Sequence, residues 1–358
     1  MALVIVLVLV GFAQNIGANL EARQIKSGFG FLEDPAGFNI GELMFDFSAR
    51  DSYLRAFAVG MANTLRVSLA GIVLASLLGV AVGLIRLSHQ ALPVWLSSAY
   101  VEVFRNTPLL IQLLAIYLLI TELLPDSTSA LAIEGVVLLS KQGLQFAVPA
   151  HHVVALAAAG MAAAAAALVV TRVTKRALTV GAGVVGVLAA LIGAVVAWLA
   201  VGLVGGWSRP AVDGFLITGG AALTPEFLAL WLGLSLFTSA FIAELVRAGA
   251  LAVPVGQSNA AHALGLTRGQ AIASVIFPQA LRLVVPPLAS QYMNLIKNSS
   301  LAVVIGYPDL VSIANTSINQ NGQALEVIVI IMAVYMSMNL VVAVIMGAVN
   351  RRVTRAPR

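Results

Sequence analysis

The stretch Glu244–Leu310, ELVRAGALAVPVGQSNAAHALGLTRGQAIASVIFPQALRLVVPPLASQYMNLIKNSSLAVVIGYPDL, decides the fold. It leaves one apolar run (226–247) and enters another (283–306). The roughly 35 residues between them keep helical spacing, broken at Pro254-Val255-Gly256 and again at Gly265-Leu266-Thr267. Proline removes a backbone donor and glycine tolerates tight turns, so the segment is predicted to fold as short helices joined by turns. A short helix lying at the inner membrane face and bounded in this way suits docking to a cytoplasmic partner.

The chain around this stretch cannot be a soluble domain. Of its 358 residues 60% are hydrophobic and 10% charged, with a mean hydropathy of +0.99, whereas a soluble surface needs about a quarter charged residues. Lipid is the solvent for much of the chain. Further apolar runs long enough for a bilayer core lie near 57–86, 94–121, 150–171, 177–203 and 325–349. One more run, Met1–Ala13, covers only about 20 Å of a core about 30 Å thick. No basic residue precedes it and no small-x-small cleavage site follows, so it reads as a span whose beginning is missing rather than a signal peptide. The expectation is an all-α polytopic membrane protein with about eight transmembrane helices.

Charge placement sets the orientation. The net charge of +5 could suggest nucleic acid, but the basic residues follow long apolar segments, as cytoplasmic loops do. With the N-terminus inside, Arg86, Arg105, Arg172, Lys175, Arg176, Arg247, Arg268, Arg282 and the four arginines of the tail are cytoplasmic. Arg23, Lys26, Arg50, Arg55, Lys141 and Arg209 are outside. Both termini are therefore expected in the cytoplasm, and no nucleic-acid partner is expected.

Within 57–86, Gly71, Ala75, Gly79 and Gly83 make a ribbon of small residues suited to close helix packing in lipid. In contrast, 153–203 is monotonous Ala, Val, Leu and Gly, and reads as a peripheral pair inserted into the core. The ionisable residues within or beside spans are Arg66, Glu102, Arg105, Glu244, Arg247 and Lys297. Such groups are costly in lipid and are paired or face a cavity. Glu102 with Arg105, and Glu244 with Arg247, are three apart and could each self-neutralise on one helical face. Lys297 sits in the polar cluster Asn294-Leu295-Ile296-Lys297-Asn298-Ser299-Ser300, which either bonds between helices or lines a path.

Enzyme motifs are lacking. No lysine follows a glycine, so there is no P-loop, and the absence of cysteine removes thiolate chemistry. The four histidines, with adjacent His151 and His152, show no helical metal spacing. No catalytic residue, metal site or cofactor is expected in this chain.

Asn259-Ala260-Ala261, then Gly265, then Val275-Ile276-Phe277-Pro278 resemble the EAA loop of binding-protein-dependent ABC importer permeases, which share a MetI-like core. Glu-Leu-Val-Arg-Ala-Gly from Glu244, Pro-Gln-Ala-Leu-Arg from Pro278 and Lys-Asn-Ser-Ser-Leu from Lys297 are similar to its polar amino-acid branch. Glu102-Val103-Phe104-Arg105-Asn106-Thr107-Pro108-Leu109-Leu110 resembles a second signature of that branch, and the long insert is similar to the general L-amino-acid subgroup. One position departs: the family's loop glutamate is Asn259 here, which keeps hydrogen-bonding capacity but loses the charge.

The resemblance implies a bacterial inner-membrane subunit, normally one of a heterodimeric pair of permeases. A periplasmic binding protein delivers an amino acid, and separate ATPase subunits hold ATP and Mg. Asn259, Ala260, Ala261, Gly265, Leu266 and Pro278 are then the coupling residues. Glu102, Arg105, Asn294, Lys297 and Asn298 are candidates for the substrate path, since a zwitterion needs partners of both signs. The implied organisation is a truncated first helix and periplasmic segment (1–56), first core helices (57–121), an insert with two extra helices and periplasmic loops (122–224), core helices with the coupling loop at about 248–282 (225–349), and a basic cytoplasmic tail (350–358). The alternative is an ion-coupled secondary transporter of small polar solutes, which would need internal repeats and midplane carboxylates.

Overall fold

The computed structural model describes residues 28–173, 180–214 and 216–354, with positions 11 and 15. The run 1–13, Lys175, Arg176 and the tail after Thr354 lie outside the described residues, Gly11 apart. The chain divides into two compact units, residues 1–70 with 292–344 and residues 71–291 with 345–358.

Helices dominate. Five are long and apolar enough to cross a bilayer: Tyr53–Ile85 (α1), His152–Val170 within His152–Val173 (α4), Pro225–Leu251 (α6), Gly269–Ile305 and Ala324–Thr354 (α11). The expected single span 94–121 is instead two helices, Ala91–Asn106 (α2) and Leu109–Leu118 (α3, continued as a π turn to Leu123), bent by 106°. Pro108 explains the break. It has no amide to donate and forces Thr107 out of the helical region, to φ −97 and ψ 132. Counting that pair as one span gives six. Val180–Gly205 (α5) is a further apolar helix, of which Ala189–Gly205 passes as a shorter one. The expected total of eight is thus not confirmed.

In the first unit, the segment before α1 folds back on itself. The amides of Ala36 and Gly37 donate to the carbonyls of Asp51 and Ala49, which makes a hairpin from Pro35 to Ser52. Its residues Phe31, Ala36 and Ile40 share a core with Tyr53, Phe57, Leu310, Ile313 and Val327. Leu310 opens the helix Leu310–Asn321 (α10). A Cβ on Gly60 would lie 3.0 Å from Leu310 Cα, so only glycine lets α1 approach α10 this closely.

In the second unit, Gly71, Ala75, Gly79 and Gly83 are all buried. A Cβ on Gly79 would meet Ile242 at 2.6 Å and one on Gly83 the Ala243 carbonyl at 2.8 Å, so the ribbon seats the end of α1 against α6. α4 and α5 pack on each other, Gly193 lying over Ala162, and leave most of their apolar side chains exposed.

The segments flanking α4 and α5 were expected as loops; they form small antiparallel sheets. Leu131–Ile133 (β1), Val137–Ser140 (β2), Gly143–Phe146 (β3) and Ala221–Leu223 (β8) pair in the order β1-β2-β3-β8. Val148–Pro149 (β4) pairs with Trp207–Ser208 (β5), clasping the ends of the helical pair, and Ala211–Asp213 (β6) with Leu216–Thr218 (β7). Gly143 has φ +93 and a Cβ there would lie 2.1 Å from the Leu223 carbonyl, so the β3–β8 pairing requires glycine.

Candidate functional site

The segment after α6 has the broken character its prolines and glycines predict. α6 ends at Leu251, Pro254 caps a nine-residue helix Val255–Ala263 (α7), and Arg268–Ala271 (α8) leads through a π turn into Phe277–Asn298 (α9). The end of α7 is a Schellman motif. The Gly265 amide donates to His262 O (2.9 Å) and the Leu266 amide to Ala261 O (3.1 Å), with Gly265 at φ +77, the left-handed conformation this cap needs. Thr267 and Gln270 then cap α8 reciprocally: the Thr267 amide donates to Gln270 Oε1 (2.9 Å) and the Gln270 amide to Thr267 Oγ1 (3.4 Å).

Of the sequence-derived coupling residues, Asn259, Ala260 and Gly265 are exposed, Leu266 and Pro278 half-buried, and Ala261 buried. Val255 and Leu264 on the same short helix are 75% and 82% exposed, an apolar surface that no residue of this chain covers in the described structure. Gln279 Nε2 donates to Gln257 Oε1 (3.3 Å), tying α9 to α7. A Cβ on Gly249 would lie 2.4 Å from Val284 Cγ2, so the glycine of Glu-Leu-Val-Arg-Ala-Gly sets the approach of α6 to α9.

A second constellation closes the inner ends of α1, α2 and α6. Glu244 binds Arg247 Nη2 at 2.5 Å, accepts a hydrogen bond from Arg86 Nη1, and has Arg105 Nη1 at 4.0 Å. The expected self-neutralising pair of Glu102 and Arg105 does not form. Arg105 continues the buried face of Ser97 and Val101, where Tyr100 donates to Leu236 O (2.9 Å), and reaches Glu244 and the Phe241 ring, 5.2 Å away. Glu102 points off that face, exposed, with no ion pair among the described residues. Glu244 with Arg247 pairs as expected, but Arg86, which sequence reading treated only as a topological charge, completes the cluster.

The remaining path candidates belong to the first unit. Asn294 and Lys297 are exposed and Asn298 half-buried. Ser299 and Ser300 donate back to Ile296 O and Lys297 O, both at 2.7 Å, rather than across to another helix. Beyond the 3-10 turn Ser299–Ile305 the backbone turns at Gly306 (φ 81) and runs through Tyr307-Pro308-Asp309 into α10. This irregular stretch is held to α1: Asn63 Nδ2 donates to Pro308 O (2.9 Å), Tyr307 Oη to Asn63 O (3.1 Å), and the Leu310 amide to Thr64 Oγ1 (3.1 Å). Asp309 is buried, caps α10 by accepting from the Ser312 amide at 2.8 Å, and is pushed up to about 7 by burial, against the opposing Ser312 and Val311 amides. No group of three or more potential metal ligands occurs among the described residues.

Comparison with known proteins decides the family. The profile described as "Binding-protein-dependent transport system inner membrane component" matches residues 71–355. The chain belongs to this family of binding-protein-dependent inner-membrane transport components. Among relatives of this permease chain, the "Putative amino-acid ABC transporter permease protein YhdX" of Escherichia coli (strain K12) is 42% identical over 100% of this chain and 93% of its own length. The "General L-amino acid transport system permease protein AapQ" of Rhizobium johnstonii is 39% identical over 99% and 91%. The "Crystal structure of an amino acid ABC transporter with histidines" matches with a TM-score of 0.51 at 23% identity, covering 84% of this chain and 95% of the other, and so supports the fold.

Proposed function

We propose that this chain is the membrane-spanning permease subunit of an ABC importer for L-amino acids, working beside a second, homologous but non-identical permease. ATP and Mg are held by separate ATPase subunits, and a periplasmic binding protein delivers the substrate. Both termini lie in the cytoplasm. The observation that carries the coupling role is α7: a capped nine-residue helix outside the spans, exposing Val255 and Leu264. Apolar side chains exposed in water mark a docking surface. Closure of the ATPases on ATP would push this helix and rock the spans between two openings. Asn259, Ala260, Ala261, Gly265, Leu266 and Pro278 form the transmission, with Asn259 contributing hydrogen bonds rather than charge. Glu102, Arg105, Asn294, Lys297 and Asn298 are proposed to border the path, and residues 122–224 to form an insert on the periplasmic side.

The test is reconstitution of the complete transporter with Gly265→Val. A β-branched residue is strained at φ +77, so the cap of α7 should open. ATP hydrolysis should persist while amino-acid uptake falls at least about tenfold, as expected when a coupling geometry is lost. Uptake at wild-type stoichiometry would refute the coupling assignment, and gradient-driven flux by the purified chain alone would refute the importer reading.

A further inference from the structure

Sequence reading left Arg66 without a role, and the structure supplies its counter-charge from an unexpected place. Arg66 lies about 20 Å further along α1 than Tyr53, well inside a helix long enough to span. Its guanidinium Nη1 donates to Glu42 Oε1 at 2.5 Å. Glu42 belongs to the hairpin that precedes α1, which therefore descends beside the helix instead of staying at its outer end. The tip is fixed independently of the ion pair, because Asn63 Nδ2 donates to the Glu42 carbonyl at 3.0 Å. Asn63 is one helical turn from Arg66 and so on the same face. Through the same amide it holds the Pro308 carbonyl, in the irregular stretch between the 3-10 turn and α10. Backbone without helical hydrogen bonds at membrane depth persists only where protein buries it or a watery cavity borders it.

We propose that Arg66 and Glu42 form the binding site for the charged groups of a zwitterionic α-amino acid, the guanidinium taking the carboxylate and Glu42 the ammonium. The inference rests on the amino-acid reading above and gives it a site. Three features support it. The pair has opposite signs one bond apart, the spacing that the two charges of an α-amino acid present. It is reachable, with the Arg66 side chain 27% and the Glu42 side chain 10% exposed. A guanidinium has five donors and a carboxylate about four acceptor positions, so the bond between them uses a fraction of each; a zwitterion can add to its edge in a closed ring of alternating charges. Lipid alone would favour neither an acid nor a base at this depth. Because both partners address atoms common to all α-amino acids, the site is indifferent to the side chain.

The test measures equilibrium binding of radiolabelled L-alanine, L-glutamate and L-lysine to the complete detergent-solubilised transporter without binding protein, so that this site alone is read. Glu42→Gln and Arg66→Lys keep size or charge and should still assemble, as judged by gel filtration. Each should weaken binding roughly tenfold or more, the loss of one charge-assisted bond, and by a similar factor for all three ligands. Arg55→Gln, at the exposed base of the hairpin, should bind as wild type. If the exchange Glu42→Arg with Arg66→Glu restores wild-type binding, or if both single variants bind as wild type, the pair is a structural staple and the proposal falls. A wild-type transporter that binds and imports none of the three would instead refute the amino-acid reading.

Discussion

Asp309 makes a pH prediction at the scale of one residue. Its folded value of about 7 stands above its ordinary 3.8. Between these limits the folded protein holds the proton and the unfolded chain does not. Stability from this group is therefore full at low pH and declines as pH rises towards 7, by up to about 1.4 kcal/mol per pH unit. Asp309→Asn keeps an acceptor for the Ser312 amide but cannot ionise. Thermal unfolding of the variant from pH 5 to 8 should be flatter than that of wild type, and an unchanged slope would show that Asp309 does not titrate in this window. The sequence could not have singled this residue out, since an aspartate before a helix is ordinary capping chemistry. Only its burial beside α1 sets it apart. Gly265 is the opposite case: its place after a short helical pattern already announced a left-handed cap.

Helix pairs carry the next level. The approach of α6 to α9 rests on Gly249, whose missing side chain is filled by Val284. Gly249→Leu should overpack this contact, costing about 1–3 kcal/mol, read as a lower melting temperature of the purified complex. A variant as stable as wild type would mean that the two helices separate without loss. Legibility at this scale followed periodicity. The small-residue ribbon of α1 was readable because it repeats every four residues. The bend at Pro108 was not read, because a run of apolar residues on both sides hides a break that only the missing amide creates. The strands of the insert were missed for a related reason: each spans two to four residues, too short for an alternating pattern to stand out from loop. Glu134-Gly135 and Gln142-Gly143, which carry positive φ at their glycines, were the available turn signals.

For the whole molecule, the two extra helices form a removable part. The Ala150 amide donates to Gly206 O (3.0 Å), and Pro149 pairs with Trp207, so the chain enters and leaves the pair at one point. In its 18-residue window α4 is only 6% buried. Replacing residues 151–206 by a two-residue turn should leave assembly intact and uptake within about twofold of wild type, as for changes away from packed interiors. Loss of uptake by an assembled complex would show that the pair contacts a partner. At this scale the membrane class, the family and the broken inner segment were all legible, because lipid solvation and glycine-proline punctuation write themselves into composition and order. The folding back of residues 35–52 beside α1 was not, since a polar segment before a span looks like an outer loop until Glu42 is seen against Arg66.

The break at Pro108 also acts on the surrounding lipid. Residues 109–123 reach about 22 Å at 1.5 Å each, against about 50 Å for α1. Acyl chains bordering this half-length wall must compress or tilt to meet it, which favours shorter or more unsaturated tails on that flank. Bilayer thickness thereby loads the hinge between α2 and α3 like a spring, and tail length is felt at Arg105 without recognition of any headgroup.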